Sequence, residues 1–220
     1  MRNLEFGRKG PGRGPATSLV IFLHGYGADG ADLLGLADPL AAHLPHTAFV
    51  APDAPEPCVG APFGHQWFPI PWLDGSSETL AAASLALSTA DLNQFIDAAM
   101  AAEGVGPQAT ALIGFSQGTM MALHVALRRP VPLAGVVGFS GRLLRPEALP
   151  REITARPPVL LIHGDADPVV PYGDLAKAAA GLKAAGVSVV THTSRGVGHG
   201  IAPDGLSLAL QFLQERLPNG

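Results

Sequence analysis

Ala111-Leu112-Ile113-Gly114-Phe115-Ser116-Gln117-Gly118 runs without a break into Thr119-Met120-Met121-Ala122-Leu123-His124-Val125-Ala126-Leu127-Arg128-Arg129, and Pro130 follows. The stretch from Ala111 to Phe115 is a continuous apolar run too short for a helix, as expected of a strand buried on both faces. Beyond Ser116 the pattern changes. Met120, Leu123 and Leu127 recur at helical spacing until Pro130 stops them. A strand therefore passes into a helix through one tight turn at Ser116, with a glycine two residues to either side. Strand followed directly by helix is the unit from which parallel sheets are assembled.

Outward from that stretch the same unit repeats. Leu19 to Leu23, Ala48 to Ala51, Leu133 to Phe139, Val159 to Ile162 and Val187 to Thr191 read as further buried strands. Thr79 to Ala102 reads as a helix, with Leu85, Leu92, Phe95, Ile96 and Met100 near the 3.6 period and Gly104 and Pro107 ending it. Tyr172 to Ala185 and Pro203 to Leu217 complete the helices. The alternation predicts an α/β fold, a mostly parallel sheet joined by right-handed crossovers with helices on both faces. No linker or repeat interrupts it. Residues 1–220 are expected to form one domain, with 1–15 a loosely ordered or edge segment. Pro52 to Gly75 alone escapes the alternation. It holds six of the 21 prolines and both tryptophans, and reads either as a Pro-stiffened surface loop or as one wall of an apolar substrate site.

Composition limits the function classes. A chain of 220 residues and 22.6 kDa, 47% apolar and 15% charged, buries roughly 70% of its unfolded surface. Fourteen Lys and Arg against 18 Asp and Glu give a net charge of −4, which argues against a nucleic-acid partner. Arg8, Lys9 and Arg13 read as solvated. Cys58 is the only cysteine, so no internal disulfide forms and a Cys-based structural zinc site is not expected. No apolar segment is long enough to span a bilayer. A cytoplasmic protein without stable membrane association is expected.

Gly114-Phe115-Ser116-Gln117-Gly118 matches the G-x-S-x-G elbow, whose strained turn lifts a serine hydroxyl above the sheet edge. A serine hydroxyl is a weak nucleophile and needs a histidine base oriented by a carboxylate, in the chain order Ser, acid, His. His124 falls inside the helix after Ser116, and His163 precedes the nearby aspartates, so both read as structural. His192 continues a strand and stays an alternative base. His199, in Gly196-Val197-Gly198-His199-Gly200, occupies a flexible loop able to reach the serine. Asp165 and Asp167 both follow Val159 to Ile162. Asp165 reads as bonding its own turn, and Asp167, fixed by Pro168, as the partner of His199. Two amides must face the developing oxyanion. Gln117 supplies one at a helix start, and Tyr26, in His24-Gly25-Tyr26-Gly27, the other. His24 reads as a brace for that loop. Gly25-x-Gly27-x-x-Gly30 also fits dinucleotide spacing, with Asp53 as the only acid in range, but a leading His24 is foreign to that fingerprint. No metal-ligand spacing appears, and neither cofactor nor metal is expected.

Taken with His163-Gly164-Asp165-Ala166-Asp167-Pro168-Val169-Val170-Pro171 and Gly198-His199, these motifs resemble the carboxylesterase and acyl-protein thioesterase family of α/β-hydrolases, over residues 16–217. The resemblance implies an α/β-hydrolase fold without a large lid domain. It implies a serine esterase for short to medium carboxylic esters, with Ser116, Asp167 and His199 as triad and the Tyr26 and Gln117 amides as oxyanion hole. Thioesterase or lysophospholipase activity would use the same triad. It further implies Trp67 and Val169 as substrate contacts, a small-molecule ester as partner, and admits a homodimer. The chain departs from the family at Tyr26, Thr119 and Pro69. A binding module that retains the scaffold, and an acyltransferase, remain alternatives.

Overall fold

The structure, a computed structural model, describes residues 2–218; Met1, Asn219 and Gly220, at the ends of the range expected to form one domain, lie outside the described residues. In chain order the elements are β1 (Phe6–Lys9), β2 (Ser18–Leu23), α1 (Gly30–Leu34), α2 (Ala37–Ala41), β3 (Thr47–Pro52), β4 (Glu56–Pro57), β5 (His65–Gln66), α3 (Pro71–Asp74) and α4 (Glu78–Glu103). They continue with β6 (Thr110–Phe115), α5 (Gln117–Ala126), β7 (Gly135–Phe139), α6 (Leu149–Glu152), β8 (Val159–Gly164), α7 (Gly173–Ala184), β9 (Val189–Ser194) and α8 (Pro203–Arg216). Among the described residues seven strands form the main sheet in the order β1-β3-β2-β6-β7-β8-β9, and β4 pairs with β5 apart from it. Only β1 runs antiparallel within the main sheet, on β3.

Alternation along each strand sorts the core into two halves. Leu19, Ile21 and Leu23 of β2 face the side covered by Leu92 and Ile96 of α4, Met120 and Leu123 of α5 and Leu182 of α7. Val20 and Phe22 face the other, under Leu33, Leu40 and the α8 residues Ala209, Phe212 and Leu213. Each large apolar side chain so buried stabilises the fold by about 1.5–3 kcal/mol, so both faces need their helices. This is the α/β-hydrolase fold. The β7–β8 connection carries only the four-residue α6 and no large lid.

Long elements match the predicted ranges to within a few residues. The Ser77 hydroxyl caps α4 by accepting from Leu80 N at 3.1 Å, and Gly104 ends it at φ 68°. The helix after Ser116 stops at Ala126 rather than Arg129, because the amides of Thr154 and Ala155 take the Leu127 carbonyl. β9 is not a buried strand. It closes the sheet as an edge, with Val190 exposed. Two of the N-terminal cations, solvent-exposed as expected, also form surface ion pairs: Arg8 with Glu103, and Lys9 with Asp38.

Candidate active site

Ser116 sits between β6 and α5 at φ 53° and ψ −115°, a conformation L-residues rarely adopt. Close packing holds it there. A Cβ on Gly118 would fall 1.8 Å from the Leu23 carbonyl oxygen, so only glycine lets the start of α5 rest on the end of β2. Ser116 N donates to Phe139 O at 2.9 Å, and the Thr119 hydroxyl lies 2.8 Å from both the Gly114 and Phe139 carbonyls. The threonine thus ties the turn to β6 and β7.

The parallel strands β6 and β8 end at the same sheet edge, which brings the loops after them together. Asp167 Oδ2 accepts from His199 Nδ1 at 2.8 Å, and Asp167 Oδ1 accepts from the amides of Val169 at 2.8 Å and Val170 at 2.9 Å. The Asp167 side chain is fully buried. Burial works against its charge, but the bond from His199 and the two amides outweigh it and hold the carboxyl below its ordinary value. With Nδ1 donating, Nε2 of His199 is left as an acceptor. The His199 ring lies 4.9 Å from that of Phe115, beside the serine. No hydrogen bond joins Ser116 and His199 among the described residues; in unliganded sites this bond is commonly long and tightens around substrate.

Asp165 takes a different partner from the one its turn suggests. Its Oδ1 accepts from Gly196 N at 2.6 Å, which pins the loop that carries His199. Gly164 permits the same approach, since a Cβ there would meet Val197 O at 2.2 Å. His192 bonds Asp204 at 2.7 Å, away from the serine, and burial pushes His124 down to about 4 inside α5.

Across the turn, Gly25 packs on the elbow, with a Cβ there lying 3.4 Å from Ser116 Cβ. Among the described residues neither the Tyr26 nor the Gln117 amide has a hydrogen-bond partner, so both are free to donate. His24 is buried, and its Nε2 accepts from Ala54 N at 2.8 Å while Nδ1 donates to Gly25 O at 2.7 Å. Burial lowers its pKa, which favours the neutral ring, and the bonds to Ala54 and Gly25 set its tautomer. The dinucleotide reading fails here because Asp53 itself occupies the Gly30 amide at 2.7 Å.

Trp67, expected to contact substrate, points into the protein interior. It is fully buried, its indole Nε1 donates to His24 O at 3.0 Å, and its amide donates to Gln117 Oε1 at 2.9 Å. Val169 is exposed beside the Asp167 turn. The large apolar side chains that the loop presents to solvent are Val59, Phe63, 93% exposed, Trp72, 70% exposed, and Leu73. A cavity of about 580 Å³ opens between Tyr26–Gly27, Val59–Ala61 and Leu73–Asp74. Tyr26 Oη donates to Asp74 at 3.3 Å on its wall. A larger cavity, about 740 Å³, lies between Leu4, Phe6 and α4, but its charges close on each other in the Arg2–Asp91 and Arg8–Glu103 pairs and it holds no nucleophile.

Two side chains escape a reading of sequence alone. The Gln117 side chain, buried, accepts from Trp67 N and donates to Phe68 O at 2.7 Å, holding the Pro52–Gly75 loop against the elbow. His163 lies 3.2 Å from Asp167. For the first, the one signal in the sequence is an uncharged polar residue directly after the serine. Among the described residues no three His, Cys, Asp or Glu side chains gather to hold a metal, and no helix is long and apolar enough to cross a membrane.

Comparison with known proteins gives a consistent picture. A family model described as phospholipase/carboxylesterase matches residues 10–217. The esterase YpfH of Escherichia coli (strain K12) is 30% identical over 93% of this chain and 85% of its own length. Acyl-protein thioesterase 1 of Neurospora crassa is 32% identical over 92% of this chain and 88% of its own. The crystal structure of esterase PE8 superposes with a TM-score of 0.92 at 45% identity, covering 98% of this chain and all of that one.

Proposed function

The chain belongs to the phospholipase/carboxylesterase family, and we propose that it hydrolyses carboxylic esters by a two-step acyl transfer with Ser116 as nucleophile, His199 as base and Asp167 as the carboxylate that orients it. Ser116 Oγ attacks the ester carbonyl carbon while His199 Nε2 takes its proton. The carbonyl electron pair moves onto oxygen, where the Tyr26 and Gln117 amides receive it. Collapse restores the carbonyl and breaks the bond to the leaving alcohol, which His199 protonates. An acyl group then sits on Ser116 until water, deprotonated by the same nitrogen, releases the acid.

The observation that carries this reading is the 2.8 Å bond from His199 to a buried Asp167, made between two loops that flank the strained Ser116 turn. Short to medium, soluble esters suit it best, since residues 140–158 leave no lid for an aggregated lipid substrate. The test is hydrolysis of p-nitrophenyl butyrate by wild type and Ser116→Ala. Loss of about 10⁴-fold or more in kcat is expected from the variant, with circular dichroism unchanged. Equal rates would remove Ser116 from the reaction. Thioesters undergo the same attack, and acyl-protein thioesterases among the relatives keep them in scope. A matched butyryl thioester assayed beside the oxygen ester separates the two.

A further inference from the structure

We propose that His163 is a positioning residue for the acid, its imidazole closing a ring of contacts that fixes the Asp167 carboxylate against His199. The inference rests on the triad reading above and adds a residue to it. His163 stands near the end of β8 with 1% of its side chain exposed. Its Nε2 lies 3.0 Å from Val170 O, and a carbonyl oxygen has no proton to give, so Nε2 carries the hydrogen and donates. The same nitrogen lies 3.2 Å from Asp167 Oδ2, the oxygen that accepts from His199. Val170 closes the ring by donating its own amide to Asp167 Oδ1 at 2.9 Å.

One imidazole therefore holds the turn that supplies amides to one carboxylate oxygen and stands against the second oxygen. Val170, His163 and the Asp167 side chain are all buried, which leaves little room for water to replace a lost donor. Around this ring stand Tyr172, edge-on to His163 at 6.1 Å with its hydroxyl bonded to Thr193, and Asp165, turned away onto Gly196. None of these offers Asp167 a substitute for Nε2. With His163 gone the turn behind Oδ1 loses its anchor at Val170 O, and on the Oδ2 side His199 alone is left to hold the carboxylate.

The test compares His163→Leu, which removes the donor, with His163→Gln, whose amide reaches the same position, using p-nitrophenyl butyrate. We expect His163→Leu to lower kcat by about 100-fold with KM changed less than about twofold, and His163→Gln to recover most of the loss. In an Asp167→Asn background His163→Leu should cost less than about threefold more, since coupled residues are not additive. Unchanged kcat in His163→Leu, no recovery in His163→Gln, or an equal loss in the Asp167→Asn background each overturns the proposal. Denaturation midpoints check that the variants fold. If His163→Leu does not, His163→Asn, whose amide is too short to reach Val170 O, takes its place with the same expectation. Asp167→Asn at the wild-type rate would sink the triad reading itself. Asp167→Asn impaired beside an unimpaired His163→Leu sinks only the role of His163.

Discussion

The turn after β8 and the loop from Pro52 to Gly75 both leave C-terminal ends of sheet strands, and they are held in opposite ways. In the turn, every oxygen of one buried carboxylate is engaged: two amides and two imidazoles, from β8, its following turn and the His199 loop, surround Asp167. In the loop, the anchors of the buried Trp67–Phe68 segment are long-range. Gln117, His24 and Ser88 fasten its backbone and Trp67 from elements far away in sequence, while Phe63 and Trp72 project outward. The first arrangement fixes a geometry for chemistry. The second leaves apolar side chains projecting from a wall that makes none of the bonds to Asp167.

The largest expected effect tests the turn against its own neighbour. Asp165 and Asp167 are two residues apart, yet one accepts from an amide and the other orients an imidazole. Asp167→Asn is expected to lower kcat for p-nitrophenyl butyrate by about 10⁴-fold, because an amide supports the wrong His199 tautomer. Asp165→Asn keeps an acceptor for Gly196 N and is expected to stay within about threefold of wild type. Comparable losses in the two variants would erase the distinction between the residues.

Next comes the fastening of the loop. Gln117→Leu leaves Trp67 N and Phe68 O without partners in a buried site, and each such group costs about 1–3 kcal/mol. A fall of about 2–4 kcal/mol in unfolding free energy by urea titration is expected. An unaltered midpoint would mean that the loop is held by its apolar contacts alone.

These two regions are also unequally legible in the sequence. The turn lies next to a buried strand and bonds its carboxylate with the amides of its own Val169 and Val170, so chain order and local chemistry alone narrow the acid to Asp167 and its rival Asp165. The partners of Trp67 are 43 and 50 residues distant. Nothing in a Pro-flanked Trp says which of Trp67 and Trp72 turns inward. The small elements α1, α2, α3 and α6, four or five residues each, show no periodicity to detect and form on tertiary contacts. The antiparallel strand β1, four residues within the segment expected to be loosely ordered or at an edge, is likewise too short to show its direction. Chain order excludes His163 as the base, and order says nothing about a residue that acts through the acid.

A pH series sharpens the contrast at the turn. The folded pKa of Asp167 lies below its ordinary value, so its ionised form contributes stability that is complete above the unfolded carboxyl pKa of about 3.9. That contribution is lost as the pH falls below this value toward the folded pKa. The gap in denaturation midpoint between wild type and Asp167→Asn is therefore expected to be constant from about pH 5 to 7, and to narrow below about pH 4. A gap that widens on acidification would mean that burial, not the surrounding donors, governs the carboxyl.

The smallest effect separates the two faces of the loop. Phe63 is 93% exposed, so Phe63→Ala removes little buried surface and is expected to change unfolding free energy by no more than about 0.5 kcal/mol. Trp67→Ala, at the buried end, removes a whole core side chain and the donor to His24 O, and is expected to cost about 3–5 kcal/mol. Activity should divide along another line. Because Phe63 lies on the segment between the cavity residues Ala61 and Leu73, Phe63→Ala should raise KM for an octanoyl ester of p-nitrophenol more than for the butyryl ester, and leave kcat for both near wild type. A uniform KM across chain lengths would place Phe63 outside the path of the substrate, and the exposed apolar side chains of the loop would then have no part in choosing it.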